Sequence, residues 1–369
     1  MKKILLVAVA AVLFACTPKQ DGYTIKGTIS GEGVNNGSAY LSNFSRVDPI
    51  RDTAEFKNGT FIFKGNVATP DNYAITVEGL EGRIVLFLDN SKIEIKAEKD
   101  NLANAEVTGG VTNDLIIALN KSLKEIETKN NLKDLESEFY DEKTTSERKE
   151  AILKSFEEAQ KEMDVIKDDF FAANPTSFFT ITQLGSKVES YPIEEMEAII
   201  AKFEALPEFA GNSYLASLKE SVNTLKSLQP GMQAPDFTLN DPEGNPISLS
   251  DVYPKNKITM IDFWAGWCSP CRNFNPKLVE MYKKYSKDGF GIFGVSFDRD
   301  EQVWKDAIKD DKLTWPQVSD LKFWDSAPSK EYYVTSIPAN IFVDQDGKII
   351  KRKVGRNEMD SFIKEQLGL

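Results

Sequence analysis

The chain of 369 residues contains no histidine. That absence removes serine–histidine hydrolysis, cysteine–histidine nucleophile pairs, c-type haem attachment and nearly every zinc site. Cysteine is almost as scarce, with Cys16, Cys268 and Cys271 its three occurrences. Cys16 falls in an N-terminal targeting segment, so no cysteine is left for a structural disulfide elsewhere. A zinc reading of Cys268 and Cys271 fails for want of two further ligands, and no metal site is expected. Runs of Lys and Arg are also missing. With 45 basic against 57 acidic residues the net charge is −12, the opposite of what phosphate contacts need, so nucleic acid is excluded as a partner. What is present, 41% hydrophobic and 28% charged residues, is ordinary for folded protein, and the length suffices for two or three cores.

The longest apolar run at the N-terminus, Ile4 to Ala15, is too short to cross a bilayer. As a helix it reaches roughly 18 Å against a hydrocarbon core of about 30 Å. Preceded by Lys2-Lys3 and ended by a small residue, residues 1–15 read as a signal peptide. Leu13-Phe14-Ala15-Cys16 resembles a bacterial lipobox, although Phe14 is bulkier than the residue usual there. The resemblance implies lipidation of Cys16, a tether over residues 16–22 and a lipid membrane as partner. The tether carries no acidic run, so a periplasm-facing place in the cell envelope is expected.

Three segments follow, and the expected class is multidomain. Residues 23–111 alternate in short strands separated by turn residues, with Asn58-Gly59 set between Ala54-Glu55-Phe56 and Phe61-Ile62-Phe63. They predict an antiparallel, sandwich-like β domain. The glycines from Gly31 to Gly37 lack the third member of a dinucleotide fingerprint and read as a loop. Residues 112–228 change to helical period. Ile152, Phe156, Ala159, Met163, Ile166 and Phe170 line one face, and Leu119, Leu123 and Ile126 offer a partner face, which suits a helical spacer or a homodimer arm. Gln229-Pro230-Gly231 breaks the last helix. Residues 229–369 then alternate strand and helix as an α/β domain, with Asp344 to Gly347 as a hairpin turn, not a calcium loop.

Within that last segment Met260 to Trp264 reads as a buried strand, and Cys268-Ser269-Pro270-Cys271 as the first turn of a helix after it. Two thiols at this spacing can close a disulfide. The first gains thiolate character from unpaired backbone N–H groups and the helix dipole. A solvent-facing Cys268 would have access to a substrate, and Cys271 would lie one turn inward, behind it. Pro270 has no N–H and fits the first turn without losing a helix bond. Asp262 lies on the strand six residues before Cys268, where burial should raise its pKa. Arg272 reads as a solvated helix residue.

Gly231 to Phe237, Trp267 to Arg272 and Ser336-Ile337-Pro338-Ala339 together resemble the TlpA/ResA-like thiol:disulfide oxidoreductases, a thioredoxin-fold group often filed as AhpC/TSA. The resemblance implies a thioredoxin fold over residues 229–369 and catalysis by Cys268 as the attacking thiolate and Cys271 as the resolving one, with Asp262 accepting a proton from Cys271. It also implies a cis Ile337-Pro338 bond in a loop that, with Trp267, meets the substrate, and tuning of the potential by Ser269 and Pro270. No cofactor beyond the redox-active disulfide is implied. Protein disulfides or thiols are the implied substrates, with a membrane thiol-reducing protein as electron donor and reduction as the favoured direction. Phe274 stands where cytochrome-maturation reductases of the group often carry glutamate, which weakens that assignment. The β domain resembles modules of unknown function found ahead of such domains. A thiol peroxidase is the second enzyme reading, although Ala265 stands where peroxidatic sites carry threonine or serine. An envelope binding lipoprotein with an accessory redox domain is the non-enzymatic one.

Overall fold

The computed structural model describes residues 22–44 and 51–369; the expected signal peptide and Cys16 lie outside the described residues. The chain divides into two units, residues 1–187 with 199–216, and residues 188–198 with 217–369.

The first unit opens with eight strands: β1 (Tyr23–Ser30), β2 (Gly37–Asn43), β3 (Arg51–Phe56), β4 (Thr60–Gly65), β5 (Asp71–Val77), β6 (Ile84–Leu88), β7 (Lys92–Glu98) and β8 (Glu106–Thr108). They form two four-stranded sheets, ordered β4-β1-β7-β8 and β3-β2-β5-β6. All pairings are antiparallel except β1 with β7, which is parallel. Alternate residues of each strand turn inward, so Ile25, Ile29, Phe61, Phe63, Ile93 and Ile95 from one sheet share a core with Leu41, Ile75, Ile84 and Leu88 from the other. The Asn58-Gly59 turn has positive φ at both residues, as a tight two-residue turn requires, and Lys57 and Thr60 exchange backbone bonds across it. Its two strands nevertheless part into different sheets, so the turn forms a corner of the sandwich.

Helices α1 (Val111–Lys129), α2 (Leu132–Tyr140), α3 (Ser146–Ala173) and α4 (Phe178–Lys187) follow, then α5 (Ile193–Glu204) and α6 (Ser213–Ser227), whose residues fall in both units. Ile152 and Ala159 of α3 are buried, as is Leu119 of α1, and the two helices pack together. The helical stretch is joined to the β domain. Phe87 of edge strand β6 meets the Phe178 ring at 5.6 Å, and the buried Asn113 side chain accepts from Phe87 N at 2.9 Å while donating to Phe87 O at 2.8 Å. Asn113 thereby occupies the hydrogen-bonding edge that β6 would otherwise leave open. Removing the amide with Asn113→Ala strands both groups and should cost this unit about 2–3 kcal/mol. All five tryptophans lie in the second unit. Urea unfolding followed by far-ultraviolet circular dichroism should therefore show the loss while the tryptophan-fluorescence transition stays in place.

The second unit contains β9 (Thr238–Asn240), β10 (Pro246–Ser248), β11 (Ile258–Trp264), α7 (Ser269–Tyr285), β12 (Phe290–Ser296), α8 (Glu301–Asp311), β13 (Gln317–Ser319), α9 (Ala327–Glu331), β14 (Ala339–Asp344), β15 (Ile349–Arg352) and α10 (Met359–Leu367). Seven strands form one mixed sheet in the order β10-β9-β13-β12-β11-β14-β15, with β11 parallel to β12 and antiparallel to β14. Every residue of β11 is buried. Ile258, Met260 and Trp264 face the core shared with α7 and α10, whereas Ile261 and Phe263 face Phe237, Phe293 and Tyr332. A strand covered on both sides reads as a continuous apolar run, which is how Ile258 to Trp264 looks in the sequence. The fold is thus an N-terminal β domain, a helical middle and a C-terminal thioredoxin-like α/β domain.

Candidate active site

The carboxyl end of β11 delivers the chain into Ala265-Gly266-Trp267 and then into α7. Gly266 is required by close approach: a Cβ there would sit 2.9 Å from Val303 O and 3.1 Å from Ala307 Cβ of α8. Its N–H donates to Asp298 Oδ2 at 2.8 Å, and the Trp267 indole donates to Phe297 O at 3.1 Å, so the turn is tied to the end of the neighbouring strand β12. Cys268 is then the N-cap of α7, and its sulfur accepts the Cys271 backbone N–H at 3.2 Å. Cys268 and Cys271 are disulfide-bonded, with Cα atoms 5.3 Å apart.

The expected solvent-facing Cys268 is corrected in this oxidised form. It is 3% exposed and Cys271 2%, because both sulfurs lie in the apolar cluster of Met260, Trp264 and Leu278, with Phe274 and Ile337 against it. Access is provided by the surroundings: Trp267 is 46% exposed, and Ser269, Pro270 and Pro338 are exposed. The Ile337-Pro338 bond is cis, and Ile337 is half-buried. Ser269 makes no hydrogen bond to either sulfur among the described residues.

Asp262 falls, by strand alternation, on the same face of β11 as Met260 and Trp264, the face whose core contains both cysteines. It is buried, and its carboxyl has no hydrogen bond or ion pair among the described residues. Burial pushes its pKa up to about 7, while the charge of Arg356 pulls it down.

Three groups at the site carry no sign in the sequence. Asp298, just past the end of β12, is buried and accepts from Gly266 N and Ser296 Oγ, the latter at 2.6 Å; burial still holds its carboxyl above the ordinary range. The position of a residue at a strand's carboxyl end, beside the end of β11, is the only available hint. Arg272 is not a solvated residue as expected. It forks onto Asp311 at the end of α8, donates to Gly266 O at 3.2 Å, and shares Asp311 with Asn275. Arg356, in the loop before α10, donates to Pro270 O at 3.0 Å and lies 5.0 Å from the centre of the Phe274 ring.

Residues 230–352 match the AhpC/TSA family model, and residues 23–116 match a domain of unknown function, DUF4369. Thiol-disulfide oxidoreductase ResA of Bacillus cereus is 32% identical over 142 residues, covering 38% of this chain and 76% of that protein. The chain belongs to the AhpC/TSA family of thioredoxin-like thiol-disulfide oxidoreductases. Thioredoxin-like protein YneN of Bacillus subtilis is 35% identical over 131 residues, 35% of this chain and 73% of that protein. Among solved structures, the thioredoxin domain of a thiol-disulfide oxidoreductase from Bacteroides vulgatus is 36% identical, covering 38% of this chain and 99% of that one, with a TM-score of 0.36.

In this thiol-disulfide oxidoreductase the buried acid has a measurable signature. Folding raises the Asp262 pKa from 3.8 to about 7, so the folded form holds a proton that the unfolded chain releases, and stability falls as pH rises through that window. Asp262→Asn carries no such penalty. Its stability advantage should be absent near pH 4 and grow until about pH 7, reaching on the order of 4 kcal/mol at roughly 1.4 kcal/mol per pH unit. Urea midpoints at a series of pH values check this, and a pH-independent difference would contradict it.

Proposed function

We propose that this enzyme reduces protein disulfides on the outer side of a bacterial membrane, with Cys268 as the attacking thiolate and Cys271 as the resolving one. The observation that carries the reading is the Cys271 N–H aimed at the Cys268 sulfur at a helix start. In the reduced protein the same N–H and the positive end of α7 favour the Cys268 thiolate. That thiolate attacks one sulfur of a substrate disulfide; a mixed disulfide forms, the substrate S–S bond breaks, and the released substrate thiolate takes a proton. Cys271, losing its proton to Asp262, attacks the Cys268 sulfur, which closes Cys268–Cys271 and releases the second substrate thiolate; that thiolate in turn takes up a proton as Asp262 gives its own back to solvent. The substrate gains two electrons and two protons, and a donor dithiol must return the same number to the enzyme.

Trp267, Ile337 and Pro338 form the surface that an extended substrate segment meets, and Ser269 and Pro270 set the potential. Asp262 serves as proton acceptor because its pKa, about 7, lets it change charge near neutral pH. Lys2-Lys3, the apolar run to Ala15 and Cys16 support a lipid-anchored, periplasm-facing place in the envelope, with a membrane thiol-reducing protein as donor. A peroxidase reading finds no support at Ala265, a buried residue without a hydroxyl.

With a disulfide-bridged peptide, Cys271→Ser should accumulate a mixed disulfide on Cys268, seen by intact-mass measurement, whereas Cys268→Ser should form none. Adducts that appear equally on both variants would sink the assignment. Equilibration of the unsubstituted pair with thiol buffers should give a potential near about −270 mV; a value near about −120 mV would make it an oxidant.

A further inference from the structure

The second unit contains four arginines. Arg272 is paired with Asp311 and Arg352 with Glu189. The other two, Arg356 and Arg299, are exposed and make no ion pair among the described residues, although the charge of Arg356 acts on the buried Asp262. Arg356 stands beside the disulfide, and Arg299 is joined through Phe323 to Trp267. Arg356 is fixed to the Pro270 carbonyl, between the two cysteines, and to the face of Phe274. Arg299 lies 4.3 Å above the Phe323 ring, and that ring is 5.3 Å from Trp267, the residue before Cys268.

In a chain of net charge −12, two unpaired guanidiniums at one site need explaining. Acids of the same segments have other partners. Asp298 Oδ2 accepts from Gly266 and Ser296, although its Oδ1 is buried without a hydrogen bond. Asp300 accepts the N–H groups of Gln302 and Val303 at the start of α8, and Glu358 accepts from Gly355 N and Lys351. A guanidinium held over an aromatic ring still has N–H donors to offer, which match a carboxylate in a fixed fork, and Arg356 uses only one of them on Pro270 O.

Resting on the disulfide-exchange reading above, we infer that the substrate segment entering this site carries Asp or Glu beside its cysteine, and that Arg356 and Arg299 are the specificity-determining residues that hold those carboxylates. The choice rests on the two local cations, since a neutral segment gains nothing from them and a basic one is repelled by them.

The test uses the reduced full chain and two synthetic disulfide-bridged peptides that differ only in flanking residues, Asp/Glu or Lys, with bis(2-hydroxyethyl) disulfide as an uncharged probe. The acidic peptide should be reduced at least about tenfold faster than the basic one, with the ratio shrinking as salt is added. Arg356→Gln and Arg299→Gln should each lower the ratio, and the double variant should bring it close to one, with Arg356→Lys intermediate. Arg299→Gln is included because Arg356 also acts on Asp262. Equal rates for the two peptides with the unsubstituted protein, or a ratio that survives the double substitution, would overturn the inference. If the uncharged disulfide is not reduced either, the exchange reading itself fails and takes the inference with it.

Discussion

A sulfur atom used as a helix N-cap is the interaction on which the rest of the site depends. Cys268 takes the place usually filled by Ser, Thr or Asp, and the N–H of Cys271 points at its sulfur. To hold that geometry the chain must leave β11 at a fixed point and enter α7 at a fixed angle. Gly266, pressed against Val303 and Ala307, sets how closely the turn can approach α8. Asp298 fixes its N–H, and Arg272, anchored on Asp311, holds its carbonyl. Polar groups that look peripheral to the chemistry are the supports of the cap, and low exposure makes each of their bonds costly to lose.

Charge around the disulfide is arranged by depth. Asp262 is buried on the face of β11 that shares the cysteines' core and has no hydrogen bond among the described residues, so its carboxyl can hold or release a proton near neutrality. Arg356 and Arg299 stand at the surface, over the rings of Phe274 and Phe323 respectively. Arg356 links the two levels by touching Pro270 and stabilising the Asp262 anion. A chain that is acidic overall thus presents cations beside its sulfurs and hides an acid behind them.

What could be read from the sequence was local. The strand Ile258 to Trp264, the helix start at the cysteines and the α3 stripe with Ile152 and Ala159 all follow from periodicity and turn chemistry within a few residues. Asp262 was reachable because it shares a strand and a face with Trp264. Residues brought in from other elements were not legible. Asp298 arrives from β12, Asp311 from α8 and Arg356 from the loop before α10, and no spacing rule connects them to Cys268. Asn58-Gly59 shows the same limit in the first unit: its residues dictate a tight turn, but which sheet each strand joins is decided by distant partners. Arg272 reads as solvated because a helix-surface arginine in sequence gives no sign of an acid on the next helix.

The most direct measurement is the thiol pKa of Cys268 in the reduced protein, followed by thiolate absorbance at 240 nm in Cys271→Ser, with the Cys268→Ser/Cys271→Ser double variant subtracted to remove the contribution of Cys16. If the helix start and the Cys271 N–H stabilise the sulfur as described, the value lies clearly below the ordinary thiol value of about 8.5. A value at or above it would mean that burial outweighs the cap and that Cys268 is not the attacking group.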